Sequence, residues 1–554
     1  MENSPLRMSK PESKKKLFLV VGLLSCISIA IAIAFLTYDG EPQVLPTGVV
    51  SSDSSECSTL GVDILKSGGS AIDAVISATL CMGVIHPHHT GIGGGGYLMT
   101  FSRKKADKAE SSVFSFVERA GSNSSAQSVV GSGVPGVLYG LNLAHQRFGK
   151  LSWKQLLSPV VKLARDGVSV GESLSTSLSD ESEFSDEVKD VFFIDGKPVQ
   201  KGQILKQAHL AETLEIVSKF GANAFYSGTL AHGIVQSFQQ HGISFTEADL
   251  SSYKGYEEKP LTLTSDGITY MTANVPSGGP ELLSIINILR NYEAVDNVLE
   301  IHRMNEAIKL ARGQFSLIGD PLFNNESLSL VESMVNRTNG RIVADQIRDD
   351  SVGPIFETLS ESLKSQVGSV VVAVDADETI AISVTSLTSM FGSKLFAKSG
   401  FFLNNALDNF ALENESTKGE SENHQAPRKR PLSHLTPLIA VEGPYACGLR
   451  VALGSSDPGQ LAQVVSTYFH HGRNLSASIE TARFMPGKDQ GQILIEEDKP
   501  GSLTDIAIDK LSQLRYFASK VKFGFTSINA AHLVGDSLIS HADSRGGGFS
   551  VRLA

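Results

Sequence analysis

Tryptophan occurs once and cysteine only four times in 554 residues, too few for a disulfide-dense secreted scaffold, and no cysteine or histidine stands at zinc-type spacing. Excess basic charge is also missing. Forty-eight Lys and Arg stand against 59 Asp and Glu, for a formal net charge of −11. With no long basic stripe, this argues against nucleic acid or anionic lipid as a non-specific partner. No internal repeat is found, so a solenoid is excluded. Charged residues are 19% and apolar ones 41%, the balance of a packed globular chain. Its length suits one large domain or two intimately packed halves.

What the chain does have is one long apolar run. Residues 17–37, LFLVVGLLSCISIAIAIAFLT, carry no charged side chain. As a helix they span about 31 Å, close to the hydrocarbon thickness of a bilayer. Arg7, Lys10, Lys14, Lys15 and Lys16 precede the run, and no Lys or Arg follows before Lys66. This asymmetry predicts a cytoplasmic tail (1–16), a signal anchor (17–37) and a stem (38–50), with the rest of the chain outside. The alternative is a cleaved signal peptide, which has a shorter apolar core and a small-x-small cleavage site. Thr37-Tyr38-Asp39-Gly40 offers a poor one.

Five N-x-S/T sequons, at Asn123, Asn325, Asn336, Asn414 and Asn474, agree with that route and are expected glycosylation sites. Of the cysteines, Cys26 lies in the apolar run. Cys57 and Cys81 flank a helix–Gly-Gly–helix stretch, where a bridge would staple two helices in an oxidising compartment. Cys447 is left over and is expected to be a buried free thiol.

In the ectodomain, 56–66 reads as a helix stopped at Ser67-Gly68-Gly69, and 70–80 as a helix buried all round. The loop after it holds His86, His88 and His89, without carboxylate or cysteine at ligand spacing, so no metal is expected. Gly93–Gly96 lacks the Lys-Ser/Thr of a phosphate loop and runs into a strand. Backbone crowding accounts for these glycines better than nucleotide binding. Amphipathic helices follow at 151–165, 205–219 and 280–291. Residues 369–374 and 379–385 then form two β-rich runs around an acidic turn at 375–378, a hairpin apolar enough to be covered on both faces. A polar surface loop at 413–430 precedes strands at 437–441 and 448–453.

Several blocks resemble gamma-glutamyltransferases (glutathione hydrolases). They are GGSAIDAVISATL (68–80), HPHHTGIGGGGYLMTF (86–101), GVPGVLYGL (133–141), ANAFYSG (222–228), FTEADLSSY (245–253), VPSGGPELL (275–283), GDPLF (319–323), VTSLTSMFGS (384–393), SGFFLNNALDNF (399–410), KRPLSHLTP (429–437) and ADSRGGG (542–548). They stand in the family's order and cover the chain from about residue 45 to its end. The resemblance implies an N-terminal-nucleophile hydrolase of the α+β class, a four-layer αββα sandwich behind one transmembrane helix. A large-subunit-like part (51–367) and a small-subunit-like part (368–554) would meet at a self-cleavage point. In the family, the new N-terminal threonine attacks a gamma-glutamyl amide such as that of glutathione, with its own amine as base. No cofactor is implied. Cys57 and Cys81 match a disulfide typical of animal members.

The positions that carry the chemistry depart from the family. Its cleavage motif, roughly Gly-Thr-x-His, corresponds to Val367-Gly368-Ser369-Val370. Alignment through Asp375 and Asp377 sets Gly368 on the nucleophile; a one-residue slip sets Ser369 there instead, making Ser369 the candidate nucleophile. The family's acidic amino-group clamp corresponds to Asn405-Ala406-Leu407-Asp408-Asn409, in which Asp408 alone survives. Two lost charge-assisted bonds at about 1.5–3 kcal/mol each weaken binding by roughly two to four orders of magnitude. The Gly-Gly oxyanion hole corresponds to Asp457-Pro458, and proline has no N–H to donate. Loss of one such donor costs on the order of 100- to 1000-fold in rate. The paired serines correspond to Ser433 and His434. Arg119 matches the arginine that clamps the substrate carboxylate through a bidentate fork, although the acidic residue that follows it is replaced by Ala120. Arg119, Asp408 and Ser433 are therefore the expected substrate-binding residues. The expectation is a plasma-membrane, type II ectoprotein with weak or lost catalysis. The alternatives are an active hydrolase or transferase using Ser369 and a non-catalytic interaction module.

Overall fold

The computed structural model describes residues 18, 20–25, 27–29, 48–104, 108–123, 131–179, 184–239, 241–243, 245–293, 297–354, 366–411, 422–443, 448–522, 524–535 and 537–553. Residues 46–553 form one compact unit, and residues 1–45 fall in a separate one. In the latter, residues 18, 20–25 and 27–29 are helical and exposed. No helix among the described residues is long and apolar enough to cross a membrane. The remainder of the expected 17–37 span lies outside them, as do Cys26, Asn414 and Cys447.

Two antiparallel sheets form the centre. One has seven strands in the order Phe549–Leu553, Gly48–Ser52, Ser369–Val374, Ile380–Ser386, Gly95–Lys104, Lys108–Ser115 and Tyr256–Glu258. The other has six, in the order Ser537–His541, Ala530–Val534, Arg450–Ser455, Thr436–Glu442, Ile268–Thr272 and Leu261–Ser265. The expected stem is shorter than predicted, because residues 48–50 belong to the first strand. Its partners are Ser369–Val374 and Phe549–Leu553, hundreds of residues away and invisible to a local reading.

Strand pleating sorts the side chains into layers. Val370, Val372, Ile382 and Val384 meet Ile439, Ala452 and Leu533 of the six-stranded sheet. Val371, Ala373 and Ala381 turn the other way, onto the helix Ala71–Ile85. On the far side, Leu438, Ala440 and Val451 pack against Leu282 and Ile286 of helix Gly279–Leu289, Ile308 of Asn297–Phe315, and Leu461 of Pro458–Phe469. The result is helix, sheet, sheet, helix. A satellite sheet of Phe484–Pro486, Gln492–Glu496 and Phe517–Val521, covered by helix Asp505–Gln513, was not legible in the sequence.

Helix Ala71–Ile85 is fully buried and opens on a capping box between Ser70 and Asp73, which satisfies two of its orphan N–H groups. The acidic turn of the central hairpin serves the same helix. Asp375 accepts from Ala71 N at 2.9 Å and from Asp377 N and Thr379 N of its own turn. Cys57 and Cys81 are bonded and join Ala71–Ile85 to Ser55–Lys66. The glycine run is a matter of close approach. A Cβ on Gly93 would lie 2.0 Å from Phe402 O, and one on Gly94 2.0 Å from Ser386 O. Asn123, Asn325, Asn336 and Asn474 are exposed. Asn336 and Asn474 cap helices through Oδ1, leaving Nδ2 clear for a glycan.

Among the three histidines, the rings of His88 and His89 are 4.0 Å apart and that of His86 lies 5.4 and 5.8 Å from them. His88 Nε2 meets Ser173 Oγ at 2.8 Å, whereas Nδ1 of His86 and of His88 has no partner. The loop is tied into the sheet edge by Leu387 N to His89 O and Phe391 N to His88 O. Burial lowers all three pKa values, to about 4 for His86 and about 3 for His89. The neutral form thus belongs to the fold, while an unfolded imidazole takes its proton near pH 6.5. Stability from these groups is present above pH 6.5 and is lost as pH falls toward 4. Buried Asp53, raised to about 6 by desolvation, acts in the opposite sense. We expect the loss of unfolding free energy between pH 7 and 5, measured by urea titration, to be about 2 kcal/mol smaller in His86→Gln than in the parent.

Candidate active site

The head of the strand Ser369–Val374, an interior strand of the seven-stranded sheet, is closed by its neighbours. Val367 N donates to Thr388 O at 2.9 Å, and Ser386 Oγ donates to Val367 O at 2.5 Å. Because Val370 faces the other sheet, Gly368 faces it too. A Cβ on Gly368 would stand 3.2 Å from Leu435 Cδ2, Ser456 Cβ and Thr385 O. Ser369 takes the alternate direction, toward the outer helices. It is 1% exposed, and its Oγ has no hydrogen-bond partner. Its cross-strand neighbour Thr385 spends its hydroxyl on Thr90.

Ser433 does not face an open pocket. The Gln366 carboxamide, two residues before Gly368, donates to Ser433 Oγ at 3.1 Å and accepts from His434 N at 2.7 Å. Both Gln366 and Ser433 are buried. A side chain of the chain itself therefore occupies the donors there.

Arg119 is half-buried on the short bridge to Val134. Its guanidinium carbon is 4.8 Å from the Tyr256 ring centre and 5.5 Å from that of Tyr253, within cation–π range. Nε and Nη2 are buried without a partner. Burial pushes the carboxyl of the adjacent Glu118 up to about 8, against the backbone N–H bonds it accepts.

The 404–410 loop has become a structural clasp. Asn404 donates to Gly93 O and Gly133 O and accepts from Gly133 N. Asn409 donates to Leu432 O. Ala120, Leu407 and Phe410 form a small apolar cluster, and Ala406 is buried beside them in sequence. Asp408 is exposed, and its Oδ2 accepts from Asn405 Nδ2 at 2.9 Å. Partial desolvation within the loop raises its pKa, against that bond; its exposure limits the effect.

Asp457 is not a loose negative charge. It caps helix Pro458–Phe469 by accepting from Gln460 N at 3.0 Å, and it pairs with Arg312 Nη2 at 3.1 Å. Arg312 Nε reaches Glu281 Oε1 at 3.2 Å. Glu281 Oε2 stands 3.0 Å from His434 Nε2, without the alignment of a hydrogen bond. All four side chains are buried. Burial would raise the Asp457 carboxyl, but Arg312 and then His434 outweigh it and hold the pKa below the usual value. An ion-pair chain thus lies at the start of helix Pro458–Phe469.

A gamma-glutamyltranspeptidase family model matches residues 57–552. The chain belongs to the gamma-glutamyltranspeptidase family. It is 30% identical over 504 residues to glutathione hydrolase 7 of Bos taurus, covering 87% of this chain and 76% of that protein. It is 32% identical over 465 residues to glutathione hydrolase 3 of Arabidopsis thaliana, covering 79% and 72%. A cephalosporin acylase from Bacillus halodurans superposes with a TM-score of 0.81 over 93% of this chain and 99% of that one, at 20% identity. That likeness speaks for the fold alone.

In this member of the family, each expected site residue has its own surroundings. Ser433 meets Gln366, Asp408 meets Asn405, Arg119 meets two tyrosines, and Ser369 turns from the face that Gly368 occupies. Sequence reading missed Gln366, Glu281 and Arg312. The signal was present for two of them. Glu281 and Arg312 lie in helices with many buried positions, where a charge demands a partner. Arg312→Ala leaves Asp457 and Glu281 buried without their cation. Its expected cost is about 3–5 kcal/mol of unfolding free energy in urea, and a cost below about 1 kcal/mol would mean that the chain contributes little.

Proposed function

We propose that this chain is a membrane-anchored member of the gamma-glutamyltranspeptidase family in which turnover is weak or lost. Its ectodomain would persist as one uncleaved chain with a scaffold, regulatory or binding role. The observation that carries the reading is Gly368. It is the residue at the head of the central strand that faces Ser456 and Leu435, and a glycine supplies no hydroxyl to attack a carbonyl.

Three features support it. Gln366 fills the hydrogen-bond positions at Ser433 and His434. Pro458 lacks an N–H, and Asp457 beside it is ionised. Ala406 and Asn409, at the positions of the family's acidic clamp, carry no carboxylate, and Asn409 donates to Leu432 O. The type II anchor rests on the charge asymmetry around the 17–37 run, and the glycoprotein reading on the exposed sequons.

The second reading is an active hydrolase or transferase with Ser369 as N-terminal nucleophile, acting on a gamma-glutamyl amide such as glutathione. What favours it is the unspent hydrogen-bond capacity of Ser369 Oγ. A denaturing gel of the full-length protein separates the two. We expect no autocatalytic cut at residues 367–369, and release of glutamate from a chromogenic gamma-glutamyl anilide at least about 1000-fold below that of an active relative. Two fragments, the smaller beginning at Ser369, together with turnover near that of the relative, would overturn the proposal.

A further inference from the structure

A second cleft, of about 760 Å³, opens in the helix layer outside the six-stranded sheet and shares no lining residue with the site above. It lies beside the ends of helices Gly279–Leu289 and Pro458–Phe469 and the first turns of Asn297–Phe315. Its volume falls in the range of small-molecule sites. Leu289, Ile301, Met304 and Leu503 supply an apolar floor.

The charges around it are unequally spent. Arg303 is tied to Asp349 through Nε at 2.9 Å and Nη2 at 2.7 Å, and Arg483 to Asp543 at 2.6 Å. Arg290 makes one bond, from Nη1 to Thr264 O at 3.1 Å, and Arg473 one, from Nη1 to Thr481 Oγ1 at 3.3 Å. Neither has a carboxylate partner among the described residues. Of the lining carboxylates, Glu300 stands 3.4 Å from His471 Nε2, Asp266 accepts from Ser265 Oγ, and Glu293 is left. Two guanidinium groups without carboxylate partners among the described residues, lining one cleft with apolar side chains, suit an anionic group on an apolar body.

We propose that this cleft binds an amphipathic organic anion, with a carboxylate or sulfonate at Arg290 and Arg473 and an aromatic or aliphatic body on the floor. The probe is 8-anilinonaphthalene-1-sulfonate, titrated into the full-length protein with fluorescence detection. One saturable site is expected, weakened at least tenfold in the double variant Arg290→Gln/Arg473→Gln and weakened less in Arg290→Lys/Arg473→Lys. Raising ionic strength from about 0.05 to 0.5 M should loosen it several-fold. Arg473 is exposed, so the single variant Arg473→Gln reports on the site even where the double variant fails to fold, and should weaken binding by itself. N-phenyl-1-naphthylamine, the same body without its sulfonate, should bind at least tenfold more weakly. Absence of a saturable site, unchanged affinity in Arg473→Gln, or equal binding of the neutral amine would overturn the proposal.

Discussion

Burial of the hairpin Ser369–Val374 and Ile380–Ser386 on both faces is the constraint on which the molecule turns. Each residue of these strands must serve one of two layers, and a shift by one residue would exchange the layers wholesale. The register is held from several directions. Gly48–Ser52 and Gly95–Lys104 pair on either side, Asp375 fastens the turn to the helix Ala71–Ile85, and Asn529 donates to Val370 O. With the strand so fixed, the direction of residues 368 and 369 is not negotiable.

The family scaffold and the family chemistry have parted along physical lines. Blocks that hold backbones together keep their residues and their contacts. Gly93 and Gly94 admit no Cβ against the backbone opposite them. Asp320 of the GDPLF block holds Arg430 of the KRPLS block at 2.7 Å, and Asp543 of the last block holds Arg483. At the positions that the proposed reading assigns to substrate, a carboxamide covers Ser433, Ala406 and Asn409 stand without a carboxylate, and a buried ion-pair chain lies beside the helix start. Removing one member of a buried chain of charges leaves its partners uncompensated, so such a chain resists piecemeal change.

Much of the architecture was legible in advance. The helices expected at 56–66 and 70–80, the central hairpin and the strands expected at 437–441 and 448–453 followed from periodicity and turn chemistry, with ends displaced by a few residues. Gly93–Gly96 was readable as crowding because it lacked the residues that a phosphate loop needs. The strand Gly48–Ser52 was not legible, since five small residues have no period of their own and gain their identity from partners hundreds of residues away. The satellite sheet escaped for a related reason: its strands are short and only partly buried.

For the site, sequence by itself determined which functional groups are missing. A glycine or serine stands where a threonine is needed, a proline lacks its N–H, and an alanine has no carboxylate. These are properties of residue types and hold in any fold. What only the tertiary structure decided was direction and company: that Gly368 and Ser369 face opposite layers, that Gln366 reaches Ser433, and that Arg312 joins Asp457 to Glu281. Contacts between residues more than 30 positions apart are set by how the sheets and helices pack, and local patterning carries no record of that distance.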